Sequence, residues 1–437
     1  MKEDLTHLPK ERADKFTRPF LRFLRIEAMA GATLLFFVGI ALAMANTEFS
    51  DRYFSFFDTR IGFFFDNFEY SRTLQHWVND GLMTLFFFVV ALELKREIVL
   101  GELTNIRLAL FPMAGAIGGM IMPVGIYLLL IGDQPSSRGW GTVMSTDTAF
   151  VIGALALLRH RVPKSLRLFL LALAIFDDIA AILIVAISYG GAIRWLPLML
   201  ACLGLVVVAG MGWVGFRSMV AYSVFGIVVW VAFDASGIHA TLTGVILGLM
   251  APARSWVSDE RLQAILSRAV AKPRGERWSG DIGERHGLQR VGVAAREALS
   301  PIERLEITLH PWIAFAVMPA FALANAGVTI VPERVDAALA SAIFFSFVLG
   351  KPVGIIALIA LAVKLRVASR PKDLTWRTLI AGSMLAGIGF TMALFIANLS
   401  FNRGELDSVK IGIILGSFVS ATAGMLALAF LGRCNRH

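Results

Sequence analysis

The stretch LALAIFDDIAAILIVAI, residues 171–187, sets Asp177 and Asp178 side by side in the middle of an apolar run. Between Leu166 and Tyr189 they are the only acidic residues, and no basic residue follows Arg167. A helix needs about 20 apolar residues to cross a bilayer, and neither flank of the pair supplies them alone. The two carboxylates are therefore central to a single crossing. An Asp at that depth costs about 2.5–3.5 kcal/mol on insertion scales and is functional by default. The bland alternative is two protonated acids tied off by hydrogen bonds.

The rest of the chain supports a membrane setting. Of its 437 residues, 57% are hydrophobic and 17% charged, against roughly 25% charged in soluble domains. The mean hydropathy is +0.70. Twelve hydrophobic segments can be read near 24–46, 75–98, 108–131, 138–158, 165–189, 194–213, 218–233, 237–250, 305–330, 338–363, 377–400 and 409–432, the seventh and eighth being short. The fold class is an all-α polytopic membrane protein. The domain reading is an N-terminal arm at 1–23, a membrane domain at 24–432 carrying a long loop at 251–304, and a tail at 433–437.

The net charge of +9 is a topology signal, so no nucleic-acid partner is called for. With loops assigned alternately, basic residues collect on one side: the N-terminal arm, Lys95/Arg96/Arg107, Arg159/Arg161/Lys164/Arg167, Arg217, the 251–304 loop, Lys364/Arg366/Arg370/Lys372 and Arg433/Arg436. The other side receives acid-leaning connections at 47–70, 233–237 and 331–336. The positive-inside rule then puts both termini in the cytoplasm. The LAMAN sequence at 42–46 resembles a cleavage site, but the preceding charged and apolar regions are too long for a signal peptide, so the first segment reads as an uncleaved helix. Cys202 and Cys434 support neither a disulfide framework nor a metal site. The 251–304 loop carries ten basic and seven acidic residues. It reads either as an amphipathic interfacial helix or as a solvated linker.

Two segments carry helix-breaking chemistry. GTVMSTDTAFVIGALALL (141–158) groups Ser145, Thr146, Asp147 and Thr148, which compete for backbone hydrogen bonds. AGIGFTMALFIANLSF (386–401) holds Gly387, Gly389 and Thr391. Each weak point lies in the second member of a three-segment group, 3–5 and 10–12, and the groups enter from opposite sides. That is the layout of an inverted repeat whose broken helices meet at a midplane substrate site. The alternative is that Gly and polar residues merely aid helix packing.

Adjacent helical residues diverge by about 100°, so one of the Asp177/Asp178 pair can face an aqueous funnel while the other faces a neighbouring helix. A hard cation such as Na+ wants oxygen ligands. A carboxylate with hydroxyls and carbonyls freed by a broken helix supplies them. Burial opposes ionisation and a nearby cation favours it. Poised between the two, such a site lets a proton and Na+ compete for the same oxygens. The nearby cation is Lys351, in FFSFVLGKPVGIIALIALAVK (344–364); Pro352 beside it kinks the helix. Lys351 reads as an ion partner or a proton carrier, or else as a lysine that snorkels to an interface. Asp147 would offset two facing helix N-termini, line the ion path, or simply cap a helix.

Other polar groups speak less directly. Asp80 opens the second segment; Glu93, Lys95, Arg96 and Glu97 close it; Glu306 and His310 open the ninth. By the topology above, these last two clusters share the cytoplasmic side, as a titrating surface or an ordinary anchored interface. His239 lies opposite, and a histidine switches near pH 6.5.

WVNDGLMTLFFFVVALELKRE, STDTAF, LALAIFDDIAAI, GIHATLTGVILG, HPW…ANAGV, GKPVGI and GIGFTMALFIANLSF occur in that order. Together they resemble the bacterial NhaA sodium/proton antiporter family across nearly the whole membrane portion. The resemblance implies twelve helices with the fourth and eleventh broken and crossing. It also implies electrogenic exchange of cytoplasmic Na+ or Li+ for a larger number of external H+, activated at alkaline pH. Asp178 would be the principal ion carboxylate, with Asp177 its partner able to pair with Lys351. Thr146 and Asp147 would belong to the broken-helix ion region, and Glu93, Glu97, Glu306 and His239 to pH activation. No cofactor is implied, and the lipid bilayer is the obligatory surround. A homodimer is implied by the family and by no feature of the sequence. The long arm and the 251–304 loop exceed what the family leads one to expect. A passive cation channel is the alternative function. An intramembrane aspartyl protease is a further one, although its usual Gly-x-Gly-Asp context is absent.

Overall fold

The computed structural model describes residues 27–434, apart from 66–67, 100, 102–105, 159–161, 216–218, 254–257, 271–288, 290, 295–297, 332 and 334. The 1–23 arm, most of the tail and much of the 251–304 loop therefore lie outside the described residues. The described chain is mostly helical and divides into two compact units, 1–82 with 107–189 and 311–437, and 83–106 with 190–310.

The first unit begins with helix α1 (Glu27–Ala45), helix α2 (Ser50–Asp58), and strands β1 (Arg60–Phe65) and β2 (Phe68–Thr73). The strands pair antiparallel, from Arg60 opposite Thr73 to Phe65 opposite Phe68. This two-stranded sheet sits in an otherwise mostly helical chain and overlaps the 47–70 stretch that the sequence presents as a connection. In α2, Tyr53 and Phe57 share a buried face, and period-2 pairing follows directly after it. A π-helical turn spans Trp77–Leu82.

Helix α3 (Met83–Val99) belongs to the second unit. The first unit resumes along α4 (Ile106–Ile131), followed by a 3₁₀ segment (Pro135–Val143), α5 (Thr148–Leu157) and α6 (Lys164–Ser188). Between Lys164 and Ser188 there is neither Gly nor Pro, so α6 runs unbroken, about 37 Å at 1.5 Å per residue. The second unit continues with α7 (Trp195–Val214), α8 (Met219–Ser236), α9 (Thr241–Met250), α10 (Asp259–Val270) and α11 (Pro301–Trp312). The final part of the first unit holds a π turn (Ile313–Val317), α12 (Met318–Asn325), α13 (Ala337–Phe345), a third π turn (Ser346–Gly350), α14 (Lys351–Lys364), α15 (Trp376–Leu385), α16 (Phe390–Ser400) and α17 (Arg403–Cys434). The 251–304 loop contains α10, so its Asp259–Val270 stretch is helical.

Among the described residues, six helices are long and apolar enough to cross a membrane, and three bent pairs raise that number to nine. Two bends lie where the sequence has its weak points, 41° between Pro135–Val143 and Thr148–Leu157 and 48° between Trp376–Leu385 and Phe390–Ser400. The third, 112° between Met29–Ala45 and Ser50–Asp58, is the turn into α2. Val220–Ser236 and Thr241–Met250 are apolar but shorter, matching the two segments read as short.

Close helix contacts rest on glycine. In the first unit, a Cβ on Gly118 of α4 would overlap the Gly354 carbonyl of α14, and the reverse also holds. In the second unit, Gly244 and Gly248 of α9 meet the backbone of α3 at Thr84 and Phe88. Without a water-driven hydrophobic effect between helices, small residues that admit backbone contact provide the packing.

Candidate ion-binding site

Asp177 and Asp178 lie in the middle turns of α6, 2% and 3% exposed, and Lys351 is fully buried at the first turn of α14. The π turn before Lys351 widens the helix by one residue, a device frequent at functional sites. Its Nζ lies 3.2 Å from Asp177 Oδ2 and also donates to Thr146 Oγ1. Thr146 in turn donates to Asp177 Oδ2 at 2.6 Å, with the Ala386 carbonyl at 3.0 Å as the competing acceptor. A hydroxyl has one proton, so Thr146 serves the carboxylate or the carbonyl, never both. Asp177 Oδ1 accepts no hydrogen bond among the described residues. Snorkelling is thereby set aside for Lys351, whose ammonium ends inside the protein.

Asp147 joins the two breaks. It caps α5 by accepting from the Phe150 N–H at 3.2 Å through Oδ1. Through Oδ2 it accepts from the Thr391 N–H at 2.9 Å and from the Thr391 hydroxyl. Its own N–H donates to the Ile388 carbonyl at 2.6 Å. Thr391 lies in the first turn of α16, whose own N-cap residue, Gly389, provides no side-chain acceptor. One carboxylate thus satisfies orphan N–H groups of two helices and faces two partial positive ends. The helix restarts at Thr148, so Asp147 is a cap and a bridge at once. Gly389 permits the approach, since a Cβ there would press on the Phe347 ring and the Ser145 carbonyl.

Asp178 Oδ2 accepts from the Thr148 hydroxyl at 3.2 Å. Three buried carboxylates, one buried ammonium and the hydroxyls of Thr146, Thr148 and Thr391 therefore converge where two interrupted helices touch. Chemically this is an oxygen-rich pocket with a built-in competing cation. Such oxygens have the chemistry that a hard monovalent cation or a proton requires.

The remaining candidates form a separate set in the second unit. Arg96 donates to Glu306 Oε1 at 2.6 Å and lies 3.6 Å from Glu97 Oε1. Glu93 is within electrostatic range of Glu306, Arg96 and Glu97. Lys95 reaches the carbonyls of Leu249 and Ala251, 2.6 Å from each, satisfying acceptors left open at the end of α9. His239 precedes the other end of α9, with its carbonyl accepting from Leu242. Ten residues of helix, about 15 Å, separate it from the Lys95 end. Of the four residues tied to pH activation, three come together and His239 does not join them. In the first unit, Asp80 pairs with His76 at 3.1 Å across one turn.

The family model described as Na+/H+ antiporter 1 matches residues 21–428. The chain belongs to the Na+/H+ antiporter 1 family. It is 57% identical over 436 residues to the Na(+)/H(+) antiporter NhaA of Rhizobium meliloti (strain 1021), covering 100% of both chains. It is 52% identical over 421 residues to Na(+)/H(+) antiporter NhaA 1 of Acidiphilium cryptum (strain JF-5), covering 96% of this chain and 94% of that one. It is 47% identical over 427 residues to Na(+)/H(+) antiporter NhaA 2 of Vibrio vulnificus (strain CMCP6), covering 98% and 96%. The end-to-end match with the Rhizobium relative means that the long arm and loop are not a departure of this chain alone.

In this Na+/H+ antiporter 1 chain, two site residues went unassigned in the sequence. Thr148 and Thr391 were visible only as helix breakers. Their partners, Asp178 and Asp147, lie 30 and 244 residues away, and no local spacing signals the second contact.

Proposed function

We propose that Na+ and H+ compete for the Asp177/Asp178 carboxylates, and that this competition is the exchange reaction. The protein is a Na+/H+ antiporter, a transporter and not an enzyme. The observation that carries the site assignment is the buried Asp177–Thr146–Lys351 group beside Asp178, at two touching helix breaks.

In the proton-loaded state, Asp178 is protonated, Asp177 is ionised, and Lys351 is a charged partner to Asp177. Na+ arriving from the cytoplasm takes oxygens of Asp178 and Asp177, together with hydroxyl and carbonyl groups at the breaks. Asp178 then gives up its proton. Na+ beside Asp177 also displaces Lys351, whose ammonium, once unpaired in a dry site, releases the second proton. Loss of two protons for one Na+ leaves the site one unit more negative than before, so the cycle is electrogenic. Li+ has the same charge and oxygen preference and follows the same route. Asp147 holds the two breaks together throughout, lining the site without surrendering its helix caps.

The orientation that goes with this cycle has twelve crossings, both termini in the cytoplasm and the chain in the bacterial inner membrane, supported by the distribution of basic residues. The Glu93, Arg96, Glu97 and Glu306 cluster sets the pH at which exchange begins, with His239 as a separate contributor. A homodimer completes the assembly. Dequenching of a ΔpH dye in everted vesicles on adding NaCl, at pH 7 and 8.5, tests the site. Asp178→Asn abolishes the Na+-dependent signal; its persistence in verified, inserted mutant protein rules out this carboxylate as the carrier. A passive channel is told apart by Na+ movement that leaves ΔpH unchanged.

A further inference from the structure

Three asparagines that the site chemistry does not use form a ladder in the first unit. Asn325, fully buried at the last residue of α12, donates to Asn79 Oδ1 at 2.7 Å and to the Phe321 carbonyl at 2.9 Å. Asn398, near the end of α16, donates to Asn325 Oδ1 at 3.1 Å and to the Leu394 carbonyl at 2.7 Å. Asn79 lies on the π turn Trp77–Leu82.

The ladder has a direction. Asn325 and Asn398 each give one amide hydrogen to the backbone carbonyl four residues back. A carbonyl accepts only from the NH2 side, so both amide orientations are fixed. Asn325 must then accept from Asn398 and donate to Asn79, which is the acceptor in that rung.

Its base is firmly held. The carbonyls that follow or end α12 are taken up by side chains from elsewhere in the unit: Leu323 by the Tyr53 hydroxyl, Gly327 by the buried Lys410 at 3.2 Å, and Val328 by Asn46 at 2.7 Å. Asn46 also accepts from the Ile330 N–H at 2.9 Å. The ladder's other end is α16. Its first turn bonds Asp147 through Thr391 and Ser417 through the Phe390 N–H at 3.2 Å. Asn398 lies seven residues on, about 10 Å along the same rigid helix.

We propose that Asn79, Asn325 and Asn398 are positioning residues, a directional amide ladder that sets the place and rotation of α16 and thereby the meeting of Thr391 with Asp147 at the ion site. This rests on the reading that the two helix breaks form that site. In a lipid-surrounded bundle, Asn side chains that hydrogen-bond across helices join them, and the two directed rungs favour the rotation of α16 that faces Asn398 toward Asn325.

The test is Na+-driven exchange by the full-length protein in proteoliposomes at fixed pH, with KM and Vmax measured separately. Asn325→Ala breaks every rung and raises the KM for Na+ by about tenfold, the effect of a misplaced buried hydrogen-bonding group, with Vmax close to wild type. Asn79→Asp keeps an acceptor for Asn325 and holds the wild-type KM, whereas Asn79→Leu raises it. Asn398→Ala, which cuts one rung, serves where Asn325→Ala does not insert. Detergent-solubilised variants also show a smaller rise in melting temperature on adding NaCl, whereas a merely structural ladder lowers melting equally with and without Na+. An unchanged KM in Asn325→Ala or Asn398→Ala, with exchange lost in Asp178→Asn, overturns the ladder alone. So does Asn79→Asp as damaging as Asn79→Leu. Exchange that persists in Asp178→Asn overturns the site reading, and the ladder with it.

Discussion

The protein holds two carboxylate–cation pairs in opposite settings. Lys351 and Asp177 are 3.2 Å apart with side chains 0% and 1% exposed; Arg96 and Glu306 are 2.6 Å apart with side chains 37% and 13% exposed. Distance alone would rank the second pair as stronger. Environment reverses the ranking. A pair with one partner open to solvent is partly screened and contributes roughly 0–1 kcal/mol. A buried pair gains little overall, because desolvation consumes the attraction, yet removing one partner strands a charge and costs about 3–5 kcal/mol. The buried pair therefore suits a binding site, where displacing one partner must have consequences. The partly buried cluster suits tuning, where small changes in proton and ion concentration must register.

The largest expected effect follows from the buried pair. Lys351→Gln leaves Asp177 with the Thr146 hydroxyl but no cation. The melting temperature of purified protein falls, by an amount consistent with a few kcal/mol, and the apparent Na+ affinity shifts. Exchange persists through Asp178, but with one proton fewer per Na+, so it no longer responds to an imposed membrane potential. Unchanged melting together with unchanged affinity would remove Lys351 from the site. A strong remaining response to potential would leave the pairing intact and assign the second proton elsewhere.

A smaller effect with a different signature is expected at the partly buried cluster of the second unit. Arg96→Gln removes the cation that, among the described residues, lies amid Glu93, Glu97 and Glu306. Three carboxylates without a counter-charge ionise less readily, so if their ionisation opens the transporter, a higher pH is needed. The pH profile of exchange moves in the alkaline direction, while melting at neutral pH stays near wild type. High salt reduces the shift only modestly, because the carboxylates are largely covered and only Arg96 is more than a third exposed. A profile that stays in place reduces the cluster to an anchored interface and breaks the contrast with the buried pair.

The two regions also differed in how much of them the sequence revealed. Asp147, Asp177, Asp178 and Lys351 stand out because a charge within an apolar run is costly and rare. The breaks stand out because Ser, Thr, Asp and Gly cluster where a crossing should be continuous. That the two breaks share Asp147 was inferable from helix-dipole reasoning alone. Uncharged polar residues give no such signal. Asn79, Asn325 and Asn398 lie inside apolar segments where a single asparagine is unremarkable, and they are joined only across 246 and 73 residues of chain. The β1–β2 hairpin was hidden for another reason. Its Phe-rich stretch follows a short amphipathic helix, and topology reasoning needs only that such a connection be polar enough to stay outside. His239 was grouped with the glutamates by resemblance, and helix geometry separates them because α9 runs between His239 and the Lys95 end.

The smallest effect is expected from the most conspicuous departure in the sequence, the long loop of the second unit. Replacing 258–298 with a short Gly/Ser linker removes α10 but neither of the loop's two attachments. On one side, Lys95 holds the Leu249 and Ala251 carbonyls, upstream of the cut. On the other, Ser300 and Glu303 form a reciprocal capping box that starts α11: the Ser300 N–H donates to Glu303 Oε2 at 2.9 Å, and the Glu303 N–H to Ser300 Oγ at 3.3 Å. Since α11 carries Glu306, the Arg96 contact survives the deletion. The trimmed protein, inserted and verified, therefore keeps Na+-dependent dequenching and the wild-type pH profile. Loss of exchange would make the loop part of the transport machinery. A displaced profile with intact exchange would place the loop in the same tuning layer as Arg96, and extend that layer beyond the helices that now define it.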